Sequence, residues 1–228
     1  MRFQLLIILL SFLLISCEEE EDFSQPFYVD ENGVTIKAKD WVTVGTIGVL
    51  NGITYTAVDD IKISESDFKS KYPEIIELKQ LVTTLVTDMS IIAGDYMIFG
   101  SFDDFKSIET WDVSNVTSMA GLFNTCNCFN PNYGNIENMP DLTYWDVSSV
   151  TNMSGMFSHI YGGAMFNQDI SGWDVSNVTN MYRMFMGSNQ FNQDLSSWDV
   201  SKVTNCDQFS DWTAKWTLPK PNFPIGCN

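Results

Sequence analysis

The chain has 228 residues, 44% hydrophobic and 14% aromatic, which is enough for the core of one or two domains and excludes wholesale disorder. Twelve Lys and Arg stand against 29 Asp and Glu, a formal net charge of −17, which argues against a nucleic-acid binder and against a polybasic membrane contact. The single histidine, His159, excludes multi-histidine metal sites and most histidine-based catalysis within one chain.

Residues 1–16 read as an export signal. Arg2 precedes an apolar run from Leu5 to Ile15 broken only by Ser11, too short for the ~20 residues of a spanning helix. The run ends in Leu14-Ile15-Ser16-Cys17, which resembles the lipobox of bacterial lipoproteins. That resemblance implies cleavage before Cys17 and lipidation of it, and several acyl chains hold a protein stably on a membrane. Residues 17–26 then form an acidic tether, Glu18 to Asp22. It resembles the acidic export signal of lipoproteins that reach the outer face of the outer membrane. Residues 27–63 form a small β domain in which 27–58 alternate as strands, with Glu31-Asn32-Gly33 and Leu50-Asn51-Gly52 as hairpin turns. A helical adapter follows at 64–77, continuing toward residue 80, with Ser64 or Ser66 as N-cap and Pro73 as a kink.

Residues 78–209 form a repeat array. Trp-Asp-Val-Ser recurs at Trp111, Trp145, Trp173 and Trp198, at spacings of 34, 28 and 25 residues. The basic unit is therefore 25, with insertions of nine and three. Each copy fits one apolar frame, as in Ile170, Trp173, Val175, Val178, Met181, Met184 and Phe185. The last copy reads Leu195, Trp198, Val200, Val203, Cys206 and, after a one-residue deletion, Phe209; a worn first copy uses Leu78, Leu81, Val86 and Met89. Trp and Val two apart suit a short strand, and the spacing of three from Val175 onward suits a short helix. Phe166-Asn167-Gln168-Asp169 and Phe191-Asn192-Gln193-Asp194 form the polar return. These units predict an α/β solenoid of leucine-rich-repeat-like coils, each a short strand plus a short helix, with a small N-terminal β cap. A C-terminal cap spans 210–228, carrying Trp212, Trp216, Pro219, Pro221 and Pro224.

Trp-Asp-Val-Ser-Asn-Val-Thr-Asn-Met with Met-Phe and Phe-Asn-Gln-Asp resembles the repeat of BspA-family leucine-rich-repeat surface proteins, and residues 28–58 resemble the N-terminal segment common in such lipoproteins. The resemblance implies a role in adhesion toward host proteins or neighbouring cells. One departure stands out: the position of the usual buried asparagine is Val116, Val150, Val178 and Val203, so that ladder is absent.

The residue between Trp and Val faces away from the core, and it is Asp112, Asp146, Asp174 and Asp199. One reading is local: each carboxylate accepts backbone N–H groups just ahead, in the turn that Asp-x-Ser-Asn favours. The other is a ligand-facing acidic row, flanked by Tyr144 and by the serines that follow each Asp-Val. Positions that differ between copies, Ala120-Gly121, Ser154-Gly155 and Tyr182-Arg183, add recognition candidates, as do the loop inserts at 124–138 and 158–164. The sequons at Asn115 and Asn177 recur because the repeat recurs. Cys126 and Cys128 are too close to bridge each other without strain, whereas Cys206 with Cys227 is one possible staple. No nucleophile, metal or phosphate motif is present and no acid is singled out, so neither an enzyme, a metal nor a cofactor is expected. The expectation is a lipid-anchored, outward-facing binding or adhesion module on the outer membrane. Its partner would be a protein or glycan on host or neighbouring cells, with a glycan module or a passive coat protein as alternatives.

Overall fold

The computed structural model describes residues 24–60, 71, 77–90, 106–124, 140–159 and 166–224. The export signal, Cys17 and most of the tether lie outside them, as do most of the helical adapter with Pro73, all but the first residues of the two inserts, and Cys126, Cys128 and Cys227.

Two small sheets come first. Strand β1 (Phe27–Val29) pairs antiparallel with β2 (Ile36–Ala38). Strand β3 (Ile47–Leu50) pairs antiparallel with β4 (Ile53–Ala57), and β5 (Leu81–Val82) adds in parallel on the far side of β4. Asn51 and Gly52, at φ 52° and 79°, place two left-handed residues in the β3–β4 turn, the geometry a two-residue hairpin needs. Asn32 Oδ1 holds the other turn by accepting the Val34 and Thr35 N–H groups. Phe27, Ile36, Ala38, Val42, Tyr55, Ala57 and Val82 share a core, and Ile36 pairs in parallel with Trp111, tying β2 to the first clear copy.

The expected α/β solenoid, with a strand and a helix in every coil, is overturned. Among the described residues of the array none is α-helical, and the extended structure of the described residues is two small sheets, one antiparallel and one mixed. Successive copies instead touch through single parallel bridges, Asp88 to Ser118, Ser118 to Asn152, Asn152 to Asn180 and Asn180 to Asn205. The frame side chains are nonetheless buried together: Trp, Val and Phe of all four clear copies, Met of the first three and Cys206 of the last, with Leu81, Val86 and Met89 of the worn one, form one continuous cluster.

Backbone chirality explains why the three-residue spacing does not make a helix. Gly121, Gly155, Arg183 and Gln208 occupy one position of the copy, and all are left-handed, at φ 67°, 62°, 55° and 57°. A left-handed residue breaks the i to i−4 ladder and turns alternate N–H groups outward. Those of Met153, Gly155 and Phe157 donate to the carbonyls of Asn180, Tyr182 and Met184 in the next copy at 2.8–2.9 Å. Those of Met156 and Ser158 stay inside the turn, on Met153 and Gly155. A corner that hydrogen-bonds to its neighbour has the apolar spacing of a helix without being one.

The same bonds correct the register of the last copy. Phe185 N–H reaches the Phe209 carbonyl, where Phe157 N–H reaches Met184, so Phe209 stands at the Met184 position and no residue is deleted. The ring stack changes accordingly. Phe123, Phe157 and Phe185 stack at 5.4 Å with planes 18° and 14° apart, whereas Phe185 meets Phe209 edge-on at 79°.

Each end of the array is finished differently. At the start, the Asp60 carboxylate accepts the Thr87 N–H at 2.7 Å, the Asp88 N–H at 3.0 Å and the Thr87 hydroxyl at 3.0 Å. It replaces the carbonyl of a missing earlier copy. At the other end Trp216 packs on Phe191 and Phe185, Phe223 packs on Phe209, and the Pro219 carbonyl accepts the Leu195 N–H. Trp212, the other tryptophan of that cap, is exposed.

Candidate functional site

The four aspartates are not equivalent. Asp146, Asp174 and Asp199 are exposed, whereas Asp112 is only 2% exposed because its copy lies against the N-terminal strands. In each the Oδ1 atom accepts the N–H two residues ahead, from Ser114, Ser148, Ser176 and Ser201, at 3.0–3.1 Å. The local turn is therefore built at all four. At Asp174 the Ser176 hydroxyl and N–H hold the carboxyl below the usual 3.8, with the charge of Asp199 pushing the other way. Ser201 lowers Asp199 in the same manner. The structure thus brings Asp174 and Asp199 within reach of each other's charge.

Asp112 faces a different setting. Its Oδ1 takes the Ser114 N–H and hydroxyl, and its Oδ2 has no hydrogen-bond partner among the described residues. Burial opposes the charge on nearby Lys37. The hydrogen bond that Lys37 donates to Asp30 at 3.1 Å and the charges of Asp112, Asp30 and Tyr28 outweigh it, and the Lys37 pKa is raised.

The remaining candidates occupy other corners. Tyr144 closes a short 3-10 turn, Leu142–Tyr144, and is 45% exposed beside the Trp-Asp-Val segment. Tyr182 and Arg183 sit at the left-handed corner instead. There the Arg183 guanidinium lies 4.7 Å from the Tyr182 ring centre and its Nε donates to Gln208 Oε1 at 2.5 Å. The structure does not gather all seven candidates into one site. His159 is buried, its N–H on the Met186 carbonyl. Among the described residues no group of three His, Cys, Asp or Glu could hold a metal ion.

The polar residues that do most for the array were missed in the sequence. Val-Thr recurs at Val86-Thr87, Val116-Thr117, Val150-Thr151, Val178-Thr179 and Val203-Thr204. In the last four pairs the threonine N–H and hydroxyl both donate to the preceding threonine's carbonyl, at 2.7–2.8 Å and 3.0–3.2 Å. The residue after each threonine carries the bridge, and Asn152, Asn180 and Asn205 each accept the N–H two ahead. Trp145, Trp173 and Trp198 donate their indole N–H to the carbonyl of Ile108, Leu142 and Ile170 one copy earlier. The sequon residues Asn115 and Asn177 likewise use their amides, on the Thr84 and Ser148 carbonyls. Recurrence of the polar letters at fixed offsets was the available signal.

Cys206, at the methionine position of its copy, is buried and disulfide-bonded. None of the curated proteins and none of the solved structures matches the chain. A family model described as Mycoplasma protein of unknown function, DUF285, matches residues 65–139 and again 96–216. Together the two matches run from 65 to 216, two thirds of the chain, which belongs to that family.

Proposed function

We propose that the chain is an exported binding or adhesion module, held on the outer membrane through lipidated Cys17 and facing outward. On this reading its repeats present a surface to a protein ligand on host or neighbouring cells, as the likeness to BspA-family surface proteins implies. One observation carries the proposal. Every frame position of the four clear copies lies in the shared core, and the recurring Thr, with the Asn115 and Asn177 amides, bonds from copy to copy, so the exposed positions are free for recognition. The Cys206 disulfide supports an oxidising compartment. The exposed Tyr144 favours a second reading, a glycan ligand stacked on an aromatic face.

A host-protein overlay beside a glycan array separates the two. Asp146→Asn with Asp174→Asn is the informative variant, because an asparagine keeps the Oδ1 acceptor of the turn and removes only the charge. Saturable protein capture that weakens in this variant supports the acidic surface. Unchanged capture removes these aspartates from the site, and binding confined to glycans replaces the protein ligand.

A further inference from the structure

The array is unfinished at its C-terminal end. In the copy before last, the N–H groups of Arg183, Phe185 and Gly187 donate to the carbonyls of Asp207, Phe209 and Asp211 at 2.8–3.0 Å. The equivalent N–H groups of the last copy belong to Gln208, Ser210 and Trp212, and none has a partner among the described residues. The Thr204 carbonyl is in the same condition. Thr179, its counterpart, accepts the N–H groups of Thr204 and Asn205 and the Thr204 hydroxyl. The cap formed by residues 213–224 covers the apolar side of this end through Trp216 and Phe223 and leaves the row of donors open.

Trp212 is a second and independent observation. It is 69% exposed and left-handed at φ 58°, at the position where the preceding copy has Gly187 at φ 75°. A bulky residue is strained there, and an exposed indole gains nothing from burial. Glycine would serve the fold better at this point, so a contact outside the chain is the reason to place tryptophan at the rim.

We propose that this end is a docking strip for a segment of a protein partner that takes the path of one further corner. The segment supplies carbonyls at alternate residues to Gln208, Ser210 and Trp212, donates N–H groups to Thr204, and lays a side chain on the Trp212 indole. This is addition of one more corner by backbone hydrogen bonds, with the tryptophan giving selectivity. The internal carbonyls of a second folded copy do not fit the role, because those of Ser154 and Met156, of Tyr182 and Met184 and of Asp207, Phe209 and Asp211 already accept from the copy before them. The site is separate from the aspartate surface proposed above.

The probe is the synthetic peptide Asn-Val-Thr-Asn-Met-Tyr-Arg-Met-Phe-Met-Gly, copied from residues 177–187, titrated into the full chain. Saturable binding that slows hydrogen exchange at Gln208, Ser210 and Trp212 supports the strip. Trp212→Gly should bind the peptide at least tenfold more weakly while melting at a higher temperature, a pair of changes that a structural role for the indole would not produce. Asp146→Asn with Asp174→Asn should bind it normally. Four results overturn the proposal: slow exchange at these three amides in the free monomer, no protection at millimolar peptide, full affinity in Trp212→Gly, or protection that appears only as the chain self-associates in sedimentation.

Discussion

Phe157→Ala is the sharpest perturbation of the core. Phe157 is 2% exposed and lies at the crossing of the ring stack, with Phe166 at 4.0 Å, Phe123 and Phe185 at 5.4 Å and Trp173 at 6.3 Å. Removing a buried phenylalanine costs about 3–5 kcal/mol, and the figure rises where the surroundings cannot collapse. Four rigid rings, contributed from both sides of Phe157, form such surroundings, so the upper half of that range is expected. Against a total stability of about 5–15 kcal/mol this is a large fraction. Phe157→Leu keeps most of the volume and should lose about 1–2 kcal/mol, mainly the aromatic contacts. Urea unfolding followed by tryptophan fluorescence reads both from the midpoint and slope. A loss below about 1 kcal/mol for the alanine variant, with the slope unchanged, refutes a tightly packed ring stack at this point.

Asp60→Ala should destabilise the start of the array by about 1 kcal/mol, as loss of an N-cap does, whereas Asp60→Asn keeps an acceptor and should lose less; equal effects in thermal melts would contradict the capping role of Asp60. Asp169, Asp174, Asp194 and Asp199 are all held below the usual 3.8 by the hydroxyl and N–H of the serine two ahead. Depressed carboxyls stabilise the fold above their unfolded-state pKa and lose that contribution as the pH falls through the folded value, so melting temperature should decline below about pH 4. Replacing all four with asparagine should flatten that decline, modestly because the groups are exposed; an unaltered acid limb would remove these turns from the acid response.

Much of the packing was legible because periodicity reports burial directly. Each frame residue from Trp111 to Cys206 lies in the shared core, and the worn copy at Leu81, Val86 and Met89 joins it. What periodicity does not report is handedness. Val175, Val178, Met181 and Met184 fit a helix, yet the chain between them turns left at Arg183, a position that is glycine in two of the other copies. Gly121 and Gly155 were the visible warning, since glycine at a fixed offset suits positive φ. As letters Phe209 aligns with Phe185 across a one-residue deletion, whereas the backbone bonds match it to Met184. The aspartates were legible as turn formers at all four positions. Burial of Asp112 was not, because it depends on β2 arriving from a distant part of the sequence through Ile36 and Trp111.

The central claim is that copies join through left-handed corners rather than through helices, and the sign of one stability change tests it. Gly155 has φ 62°, and an added Cβ would find Ser158 Cβ at 3.9 Å, so crowding plays no part. In a helix, Gly155→Ala would stabilise by about 1 kcal/mol. In the left-handed corner it should instead destabilise by about 1–2 kcal/mol. Equilibrium urea unfolding of Gly155→Ala beside the unaltered chain gives the answer: a lower midpoint is the predicted result, and a higher one would contradict the corner.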